Sequence, residues 1–286
     1  MRTTGIFQTA HREITLKSVK DPLYIIPFGD VHLGAPGFSQ SHWREFIKEA
    51  KAKHKRAYFI GMGDYWDFAS SSERTALRTA SLHDATRDLF ETLARKQITE
   101  FKRSINWMGD HLLGLVGGNH TWKFEDGQTA DEKLAMLMGV PFLGVCAVLR
   151  LFFDYQSRRT SMDIFVHHGK GGGGKTEGNS INQVADMMTI MPGADLYIMG
   201  HDHDMWTKPA KPRLHPVWNN KKKKLEIKEK RQYLVRSGSF LKAYEPGASS
   251  YIVDKPAAPC HLGAPQIEVR LRARDTRFVI EMKGVA

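Results

Sequence analysis

The stretch LYIIPFGDVHLG, from Leu23 to Gly34, contains an apolar run that ends abruptly in polar residues. The run LYIIPF carries no charge, as expected of a short strand that is buried within a sheet. It stops at Gly29, and Asp30 and His32 follow at once. One such block is weak evidence for a site, because a lone histidine is often an ordinary core residue.

Polar residues of the same kinds follow four further apolar runs. In open α/β sheets, ligands bind outside the carboxyl ends of the strands, so five such blocks together predict one shared site. The further residues are Asp64 after Ala57 to Ile60, Asn119 and His120 after Leu112 to Val116, His167 and His168 after Met162 to Val166, and His201 and His203 after Leu196 to Met199.

Helix-like segments separate these apolar runs. Apolar residues recur at helical spacing in SHWREFIKEAKAKHK and again between Asp84 and Met108. Thr129 and Glu132 form a predicted capping box at the start of a further helix. Strands that alternate with helices predict an α/β fold. No internal repeat and no second domain stand out, so residues 1–286 are predicted to form a single domain.

The composition is that of an ordinary globular protein. Of the 286 residues, 41% are hydrophobic and 26% are charged. No run approaches the roughly 18 apolar residues of a membrane span, and the first residues lack the apolar block of a signal peptide. Cys146 and Cys260 are the only cysteines and form no metal-binding pair. We therefore expect a cytoplasmic protein without membrane contact, whose oligomeric state stays open.

Most of the positive charge lies in one segment. Between Lys208 and Arg236 there are eleven basic residues and two acids, which gives +9 of the formal +11 of the whole chain. We interpret residues 208–236 as a basic insertion or hairpin that binds nucleic acid, with Trp218 able to stack on an unpaired base. A solvated hairpin is the alternative. The cations expected to contact phosphates are Lys221, Lys222, Lys223 and Lys224.

The side chains at the strand ends also predict a metal site. Aspartate, asparagine and histidine are ligands for divalent ions of borderline hardness. The blocks supply more ligands than one tetrahedral ion takes, whereas two ions that share a carboxylate would use them all. We therefore predict two divalent ions, with Mn²⁺ as the expected ion and Fe, Zn²⁺, Co or Ni as alternatives.

The ordered set Asp30-Val-His32, Gly63-Asp64, Gly118-Asn119-His120, His168-Gly169 and Gly200-His201-Asp202-His203 resembles the calcineurin-like metallophosphoesterase superfamily. The resemblance implies a two-sheet β-sandwich flanked by helices, in four αββα layers, with a two-metal site. It implies that His120 lies beside the substrate phosphoryl group. One ion would bind Asp30, His32, Asp64 and His203, and the second would bind Asp64, Asn119, His168 and His201.

Two details of the set stay open. His167 and His168 are adjacent, and the resemblance favours His168 because the family's histidine commonly precedes glycine. Thr121 stands where many members carry an acid that orients the preceding histidine. Asp67 is either a substitute partner for His120 or a helix cap.

The segment after the two histidines has a second interpretation. Gly169 to Thr176 reads GKGGGGKT, which fits the P-loop of an ATP site. Such a site also needs a Mg²⁺-binding aspartate after a neighbouring strand, and the nearest candidate strand ends in Gly-His-Asp-His instead. The favoured interpretation is a glycine-rich rim beside His168. Lys170 and Lys175 either contact substrate phosphates at this rim or keep the loop soluble.

These observations together predict a hydrolase. A metal-bridging hydroxide would attack phosphorus, with His120 as general acid. The basic segment follows the last block of ligands and is therefore expected close to the site. We expect a phosphodiesterase or nuclease that acts on DNA or RNA. The alternatives are a phosphatase or pyrophosphohydrolase on small phosphoesters, and a nucleic-acid-binding module without activity.

Overall fold

The computed structural model of the chain describes residues 7–68, 83–170, 176–220, 222–244, 259–274 and 277–285. The helices are α1 (Gln40–Lys53), α2 (Asp84–Ile105), α3 (Ala130–Met138) and α4 (Glu177–Ile190). The strands are β1 (Gln8–Thr15), β2 (Leu23–Phe28), β3 (Ala57–Gly61), β4 (Leu112–Leu115), β5 (Cys146–Tyr155), β6 (Arg158–His167), β7 (Leu196–Met199), β8 (Met205–Pro209), β9 (Arg213–Asn219), β10 (Lys224–Lys230), β11 (Tyr233–Ser237), β12 (Gln266–Arg274) and β13 (Arg277–Val285).

The strands form two large sheets and one separate pair. The first sheet has six strands in the order β1-β5-β6-β7-β11-β8, and the second has five in the order β13-β12-β2-β3-β4. β2, β3 and β4 are parallel to one another, as are β6, β7 and β11. Parallel neighbours end at the same edge of a sheet, so the loops that follow them lie side by side.

The two sheets face each other across an apolar core. Ile25 and Ile60 of one sheet share a buried cluster with Ile164 and Ile198 of the other. On the outer face of the five-stranded sheet, Phe28 packs with residues of α1, α2 and α3. Alternate residues of β2 therefore serve two cores, which explains why the run LYIIPF is apolar throughout.

Helix α4 covers the outer face of the six-stranded sheet. Val184 and Met187 of this helix lie in one buried cluster with Phe165 and Tyr197 of the strands beneath. The layers are therefore helix, sheet, sheet and helix, and the predicted four-layer α/β fold is confirmed. Within the described part of the chain, no helix combines the length and the apolar character that crossing a membrane requires.

The predicted capping box fixes the start of α3. The Thr129 side chain accepts a hydrogen bond from the backbone N–H of Glu132, and the Glu132 carboxylate accepts one from the backbone N–H of Thr129. Two of the amide groups that a helix leaves unpaired at its first turn are thereby satisfied. Asp131 is held at this first turn, beside the loop that follows β4.

The strands β9 and β10 form an antiparallel ribbon that pairs with neither large sheet in the described residues. The ribbon continues from β8 and β11, which pair at the edge of the six-stranded sheet. At its base, Lys230 Nζ lies 2.9 Å from Asp195 Oδ1, and Gln232 Nε2 donates to the Ala194 carbonyl at 2.6 Å. Both acceptors precede β7, whereas His201 follows it. The base of the ribbon is thus at the other end of β7 from the predicted ligands, not close to them as the sequence suggested.

Candidate metal centre

The loops after five strands bring the predicted ligands together in one polar cluster. We define the polar cluster by its members: Asp30, His32, Asp64, Asp67, Asn119, His120, His168, His201 and His203. Several of them have the left-handed backbone that non-glycine residues rarely adopt and that costs roughly 1–3 kcal/mol each. The φ angles are 47° for Asp30, 51° for His32, 49° for Asp64, 75° for His201 and 63° for His203.

The first group within the cluster joins β2 to the loop after β7. It contains Asp30, His32 and His203, each of which offers one ligand atom within 4.8 Å of the others. His32 Nε2 lies 3.1 Å from His203 Nε2, and His203 Nε2 lies 3.6 Å from Asp30 Oδ1. Two ring nitrogens and a carboxylate oxygen therefore point at one small volume.

The second group joins the loops after β3, β4, β6 and β7. Asp64, His168 and His201 offer ligand atoms within 4.8 Å of one another. Asn119 Oδ1 lies 2.9 Å from His168 Nε2 and 2.9 Å from His201 Nδ1. A carbonyl oxygen and two imidazole nitrogens thus converge beside a carboxylate, which is a donor set suited to a divalent ion.

Asp64 lies next to both the second group and His120. Its Oδ2 is 3.3 Å from His168 Nε2 and 3.8 Å from His120 Nε2, and its Oδ1 accepts the backbone N–H of His120 at 2.8 Å. Burial raises the pKa of Asp64, but the neighbouring His168 outweighs it and holds the pKa well below the usual value. Asp64 is therefore a buried carboxylate that stays ionised.

The structure distinguishes the two adjacent histidines. His168 is buried, and its Nδ1 lies 2.8 Å from the Met62 carbonyl oxygen. A carbonyl only accepts, so Nδ1 carries the proton and Nε2 faces the cluster. The His167 side chain instead accepts the backbone N–H of Gly169 at 2.7 Å through Nδ1. The structure therefore places His168, and not His167, among the candidate ligands.

His120 contacts a carboxylate that lies far from it in sequence. His120 Nδ1 is 3.1 Å from Asp67 Oδ2, and His32 Nδ1 is 3.4 Å from the same oxygen. Burial raises the pKa of Asp67, but hydrogen bonds from His120 and His32 outweigh burial and lower it. Of the two roles left open by the sequence, the geometry favours the partner of His120 over the helix cap.

The environment of Asp30 supports a bound cation independently of the distances between the candidate ligands. Asp30 is fully buried, and its Oδ1 has no hydrogen-bond partner among the described residues. Burial raises the pKa of this carboxyl to about 8, because nothing nearby compensates the negative charge fully. A divalent cation at Oδ1 would supply that compensation. Ring nitrogens and carboxylate or amide oxygens that converge on such small volumes fit a metal centre.

Two glycines allow the loops to approach each other closely. A Cβ placed on Gly118 would lie 2.1 Å from Asp64 Oδ1, and a Cβ placed on Gly63 would lie 2.6 Å from His168 Nδ1. No side chain fits at such separations. The glycine before Asp64 and the glycine before Asn119 are thus required by packing between the loops that carry the candidate ligands.

Two buried charged residues beside the cluster were missed by the sequence interpretation. Asp131 Oδ2 accepts the backbone N–H of Gly118 at 2.9 Å, and burial raises its pKa to about 7. Arg236 donates from Nη1 to the Gly200 carbonyl at 2.6 Å and from Nη2 to Asp202 Oδ2 at 2.8 Å. An arginine within the apolar run LVRSGS was a usable signal, whereas Asp131 resembled an ordinary acid in the first turn of a helix.

The Arg236–Asp202 pair also bears on the P-loop interpretation. Asp202 is the acid after β7 that an ATP site would need for Mg²⁺, and its carboxylate is instead bound by a buried guanidinium. The segment 171–175, which carries Lys175 and most of the glycine run, lies outside the described residues. The neighbouring strand end therefore favours the metal centre over a nucleotide phosphate site.

The predicted phosphate-binding lysines lie in two places. Lys170 is exposed directly after the His168-Gly169 step. Lys222, Lys223 and Lys224 are exposed at the turn of the ribbon, and Lys222 Nζ lies 3.2 Å from Glu226 Oε1. Lys221 lies outside the described residues. Only Lys170 is thus adjacent in sequence to the candidate ligands.

Comparisons with known proteins find similarity to solved structures only. No protein-family model matches the chain, and no curated protein matches it. Similar solved structures include vacuolar protein sorting 29 from Cryptosporidium parvum, with 12% identity, a TM-score of 0.36, and coverage of 93% of this chain and 100% of that one. The calcineurin-like phosphoesterase YfkN from Bacillus subtilis shows 11% identity and a TM-score of 0.37, with coverage of 93% and 90%. A 5'-nucleotidase precursor from Thermus thermophilus shows 12% identity and a TM-score of 0.38, with coverage of 92% and 54%.

TM-scores at this level carry no argument about function, so the assignment depends on the residues themselves. The polar cluster is built from the ordered blocks that the sequence analysis singled out, at the ends of strands in a four-layer α/β fold. In layer order and in the residues at its strand ends, the chain resembles the calcineurin-like metallophosphoesterase superfamily.

Proposed function

We propose that this chain is a metal-dependent phosphoesterase. The observation that carries the proposal is the meeting of two donor groups, from loops after five strands, in one polar cluster that contains the ionised Asp64. Two divalent ions, with Mn²⁺ as the expected species, would occupy them. The proposed ligands are Asp30, His32, Asp64 and His203 for one ion, and Asp64, Asn119, His168 and His201 for the other.

Divalent ions in these groups would supply Lewis acidity toward phosphoryl oxygens and lower the pKa of bound water. The protein supports this chemistry with an oriented imidazole and a fixed charge. His168 Nδ1 is committed to the Met62 carbonyl, so Nε2 is the nitrogen that would bind an ion, after release of the proton that it shares with Asn119 and Asp64 in the metal-free protein. The ionised carboxylate of Asp64 offsets part of the cationic charge, which keeps the centre attractive to an anionic substrate without excess repulsion between ions.

His120 is the proposed proton donor to the leaving oxygen. Asp67 fixes the ring through Nδ1, so a proton held on Nε2 points away from that carboxylate and toward the cluster. Asp67 therefore performs the orienting task for which Thr121 lacks the chemistry.

We propose further that the substrate is a phosphodiester in DNA or RNA. The support is the concentration of positive charge between residues 208 and 236, together with the exposed Lys170 beside His168. The base of the ribbon and the polar cluster lie at opposite ends of β7, a span of ~13 Å. A polymer can reach both, so a nucleic acid is the substrate class that would use them together.

A phosphatase or pyrophosphohydrolase acting on small phosphoesters is the second candidate. The same separation favours it, because a small substrate bound at the polar cluster would not contact the base of the ribbon. The two candidates differ in what the ribbon lysines do. For the first they bind substrate, and for the second they have no role in turnover.

Purified protein with Mn²⁺ would be assayed on bis-p-nitrophenyl phosphate, on p-nitrophenyl phosphate, and on single- and double-stranded DNA. We expect cleavage of the diester and of DNA, and loss of both in His120→Ala. Hydrolysis of the monoester alone would reject the nuclease proposal and leave the phosphatase. Loss of neither activity in His120→Ala would reject the site.

A second comparison isolates the ribbon. The triple variant Lys222→Ala, Lys223→Ala and Lys224→Ala should weaken DNA turnover and flatten its salt dependence, while turnover of the small diester is unchanged. The matched control removes three exposed lysines from the region of α1, as Lys48→Ala, Lys51→Ala and Lys55→Ala. An equal loss in both triple variants would show that only net charge matters.

A further inference from the structure

The loop after β4 carries two residues of the proposed site, Asn119 and His120. Both lie outside the helices and strands of the chain, so no ladder of backbone hydrogen bonds fixes them. Asn119 is also exposed, so core packing contributes little to its position. The contacts that fix this loop therefore decide where a candidate metal ligand and the proposed proton donor are held.

Asp131 contacts this loop on both sides of the two site residues. Its Oδ2 accepts the backbone N–H of Gly118, directly before Asn119, at 2.9 Å. Its own backbone N–H donates a longer hydrogen bond to Thr121 Oγ1, directly after His120, at 3.4 Å. One residue of a neighbouring helix thus brackets the segment that carries the candidate ligand and the proton donor.

Asp131 is itself held firmly. It is only 1% exposed and is the second residue of α3, whose start is fixed by the capping box of Thr129 and Glu132. The backbone N–H of Ala130 donates to the Trp122 carbonyl at 2.8 Å, which joins the end of the loop to the same helical turn. A carboxylate on the first turn of a capped helix is a rigid support for residues in a loop.

Helix stability alone does not explain a buried acid at this position. The first turn of a helix favours a negative charge, but an exposed acid provides that charge without losing its hydration. Asp131 is buried instead, and its Oδ1 has no hydrogen-bond partner in the part of the chain that the structure describes. The burial is unfavourable in itself, and what it provides is an acceptor for the N–H of Gly118.

We propose that Asp131 is a positioning residue of the metal centre, which holds Asn119 and His120 in place through the backbone N–H of Gly118. The inference rests on the proposed metal-dependent function. Gly117 and Gly118 are consecutive and have wide conformational freedom, so the loop needs an external contact at this point. Without it, the Asn119 carbonyl oxygen would leave the ring nitrogens that it faces.

Mn²⁺ binding to the full chain, measured from the free-ion signal in electron paramagnetic resonance, tests the proposal without any substrate. Asp131→Ala removes the acceptor and should weaken Mn²⁺ binding by about 10–100-fold, as for other residues that orient metal ligands. Asp131→Asn keeps an oxygen that can accept the Gly118 N–H and should bind Mn²⁺ as the wild type does.

Thr129→Ala is the matched control, because it weakens the same helical turn but leaves the Asp131 carboxylate in place. Loss of the cap should lower Tm by about 2–4 °C and leave Mn²⁺ binding unchanged. Unchanged Mn²⁺ binding in folded Asp131→Ala would overturn the proposal. So would an equal loss in Asp131→Asn, or an equal loss in Thr129→Ala, since the acceptor would then not be what matters.

Residue-resolved amide hydrogen exchange of the metal-free chain tests the hold on the loop directly. The Gly118 amide must lose protection in Asp131→Ala, because its acceptor is gone. The informative amide is that of His120, whose acceptor Asp64 Oδ1 is still present at 2.8 Å in the wild type. We expect His120 to lose protection in Asp131→Ala and to keep it in Asp131→Asn and Thr129→Ala. Full protection of His120 in Asp131→Ala would overturn the proposal.

Turnover shows whether the effect reaches the proton donor. At saturating Mn²⁺, Asp131→Ala should lose more activity on diphenyl phosphate than on bis-p-nitrophenyl phosphate, because the poorer leaving group depends more on proton donation by His120. Equal losses on the two diesters would show that Asp131 does not position His120.

The inference and the proposed function can fail separately. If the wild type bound Mn²⁺ but cleaved no phosphoester, the proposed function would fail, and Mn²⁺ binding and hydrogen exchange would still decide the role of Asp131. If the wild type were active and folded Asp131→Ala matched it in Mn²⁺ binding and in exchange at His120, the role of Asp131 alone would fail. A wild type that bound no Mn²⁺ would overturn both.

Discussion

The polar cluster and the ribbon break the usual rule of burial in opposite directions. At the cluster, Asp30, His32 and Asp64 are buried, and they adopt left-handed backbone angles. On the ribbon, Leu214 and Ile227 are exposed in strands of regular register. Neither arrangement is favourable for an isolated chain, because buried polar groups lose hydration and exposed apolar groups order water. A bound cation would complete the cluster, whereas the exposed apolar side chains of the ribbon lie in none of the buried clusters of the described residues.

The comparison separates residues that the proposed activity requires from residues that it does not require. Substitutions in the cluster should abolish activity without unfolding the chain, since its ligands are not part of the apolar cores. Substitutions of exposed ribbon residues such as Leu214 and Ile227 should leave activity on the small diester intact. Four variants in or beside the cluster test the statement about the cluster. Their expected effects decrease in the order Asp64→Asn, Gly118→Ala, Arg236→Lys and Asp131→Asn.

The largest effect is expected for Asp64→Asn. The substitution keeps the size of the side chain and removes the charge that faces His168 and His120. We expect kcat on bis-p-nitrophenyl phosphate to fall by at least about 10³-fold, or more than ~4 kcal/mol in the barrier. The half-saturating Mn²⁺ concentration should rise as well. Steady-state kinetics with a metal titration measures both.

The matched control for this variant is Asp126→Asn. Asp126 is an exposed aspartate that pairs with Lys133, whereas Asp64 is buried. Its activity should stay within about twofold of the wild type. Circular dichroism on both variants checks that the fold is retained. Full activity in Asp64→Asn would mean that the cluster is not the catalytic centre.

The second effect tests the close approach of the loops. In Gly118→Ala the added Cβ would lie 2.1 Å from Asp64 Oδ1, so the loop after β4 must move away from the loop after β3. A displacement of about 1 Å in a catalytic arrangement is enough for a loss of about 10²-fold in activity. We expect that loss in kcat/KM on the small diester, with a smaller decrease in Tm.

Gly178→Ala provides the control for Gly118→Ala. Gly178 is in α4, and a Cβ there meets nothing within 4 Å. Alanine is the better helix former by roughly 0.5–1 kcal/mol, so this variant should be fully active and slightly more stable. An equal loss of activity in both variants would show that glycine substitution acts through general instability, and not through Asp64.

Much of the fold was visible in the sequence for a physical reason. Strands buried on both faces, such as LYIIPF, must be apolar throughout, and this signal is local. The blocks after the strands were equally visible, because Asp, Asn and His seldom follow several apolar runs unless those runs share a site. The capping box of Thr129 and Glu132 was also predictable, since both partners lie within one turn.

The features that sequence did not predict depend on contacts between distant segments. Asp67 and His120 are separated by 53 positions, and no periodicity relates them. β8 pairs antiparallel with β11 and carries the chain from His203 toward the other end of the sheet. Residues of the ribbon therefore follow His203 closely in sequence without lying close to the site. The sequence also did not show which side chains of β9 and β10 point outward.

The third effect concerns Arg236, which connects the loop after β7 to α4. Its guanidinium donates to Asp202 Oδ2, to the Gly200 carbonyl, and to Gln183 Oε1 at 2.5 Å. Arg236→Lys keeps the charge but cannot donate to three acceptors in a fixed plane. We expect activity and Mn²⁺ affinity to fall by about 10-fold, the lower end of the effect of residues that orient ligands.

Two further variants show whether Arg236 acts through the ligand loop. Asp202→Asn weakens the pairing at the ligand loop and should reproduce most of the loss. Gln183→Ala removes one of the two contacts to α4, since Arg236 also donates to the Ser180 carbonyl at 3.3 Å, and should cost less. If Mn²⁺ affinity were unchanged in Arg236→Lys while Tm fell, the arginine would stabilise the fold without positioning His201 and His203.

The smallest effect is a change in the pH dependence of stability caused by Asp131. In the metal-free protein, burial raises the pKa of this carboxyl to about 7, whereas an exposed aspartate titrates near pH ~4. Between these values the folded state holds a proton that the unfolded state releases. The free energy of unfolding therefore falls as pH rises from about 4 to 7, and this contribution is constant above that range.

Asp131→Asn should remove this contribution, because asparagine stays neutral while its carbonyl oxygen can still accept the Gly118 N–H. Measured by thermal unfolding in EDTA, the Tm of the variant relative to the wild type should rise by a few °C between about pH 5 and 8. Asp126→Asn should show no such rise, since the partner Lys133 lowers the pKa of Asp126 and its titration lies at more acidic pH. A constant difference for Asp131→Asn across the range would mean that Asp131 is ionised throughout. The buried Asp131 carboxylate would then resemble Asp64, because the protein would compensate its negative charge. Of these three acids, Asp30 alone would then carry a charge that the protein leaves uncompensated.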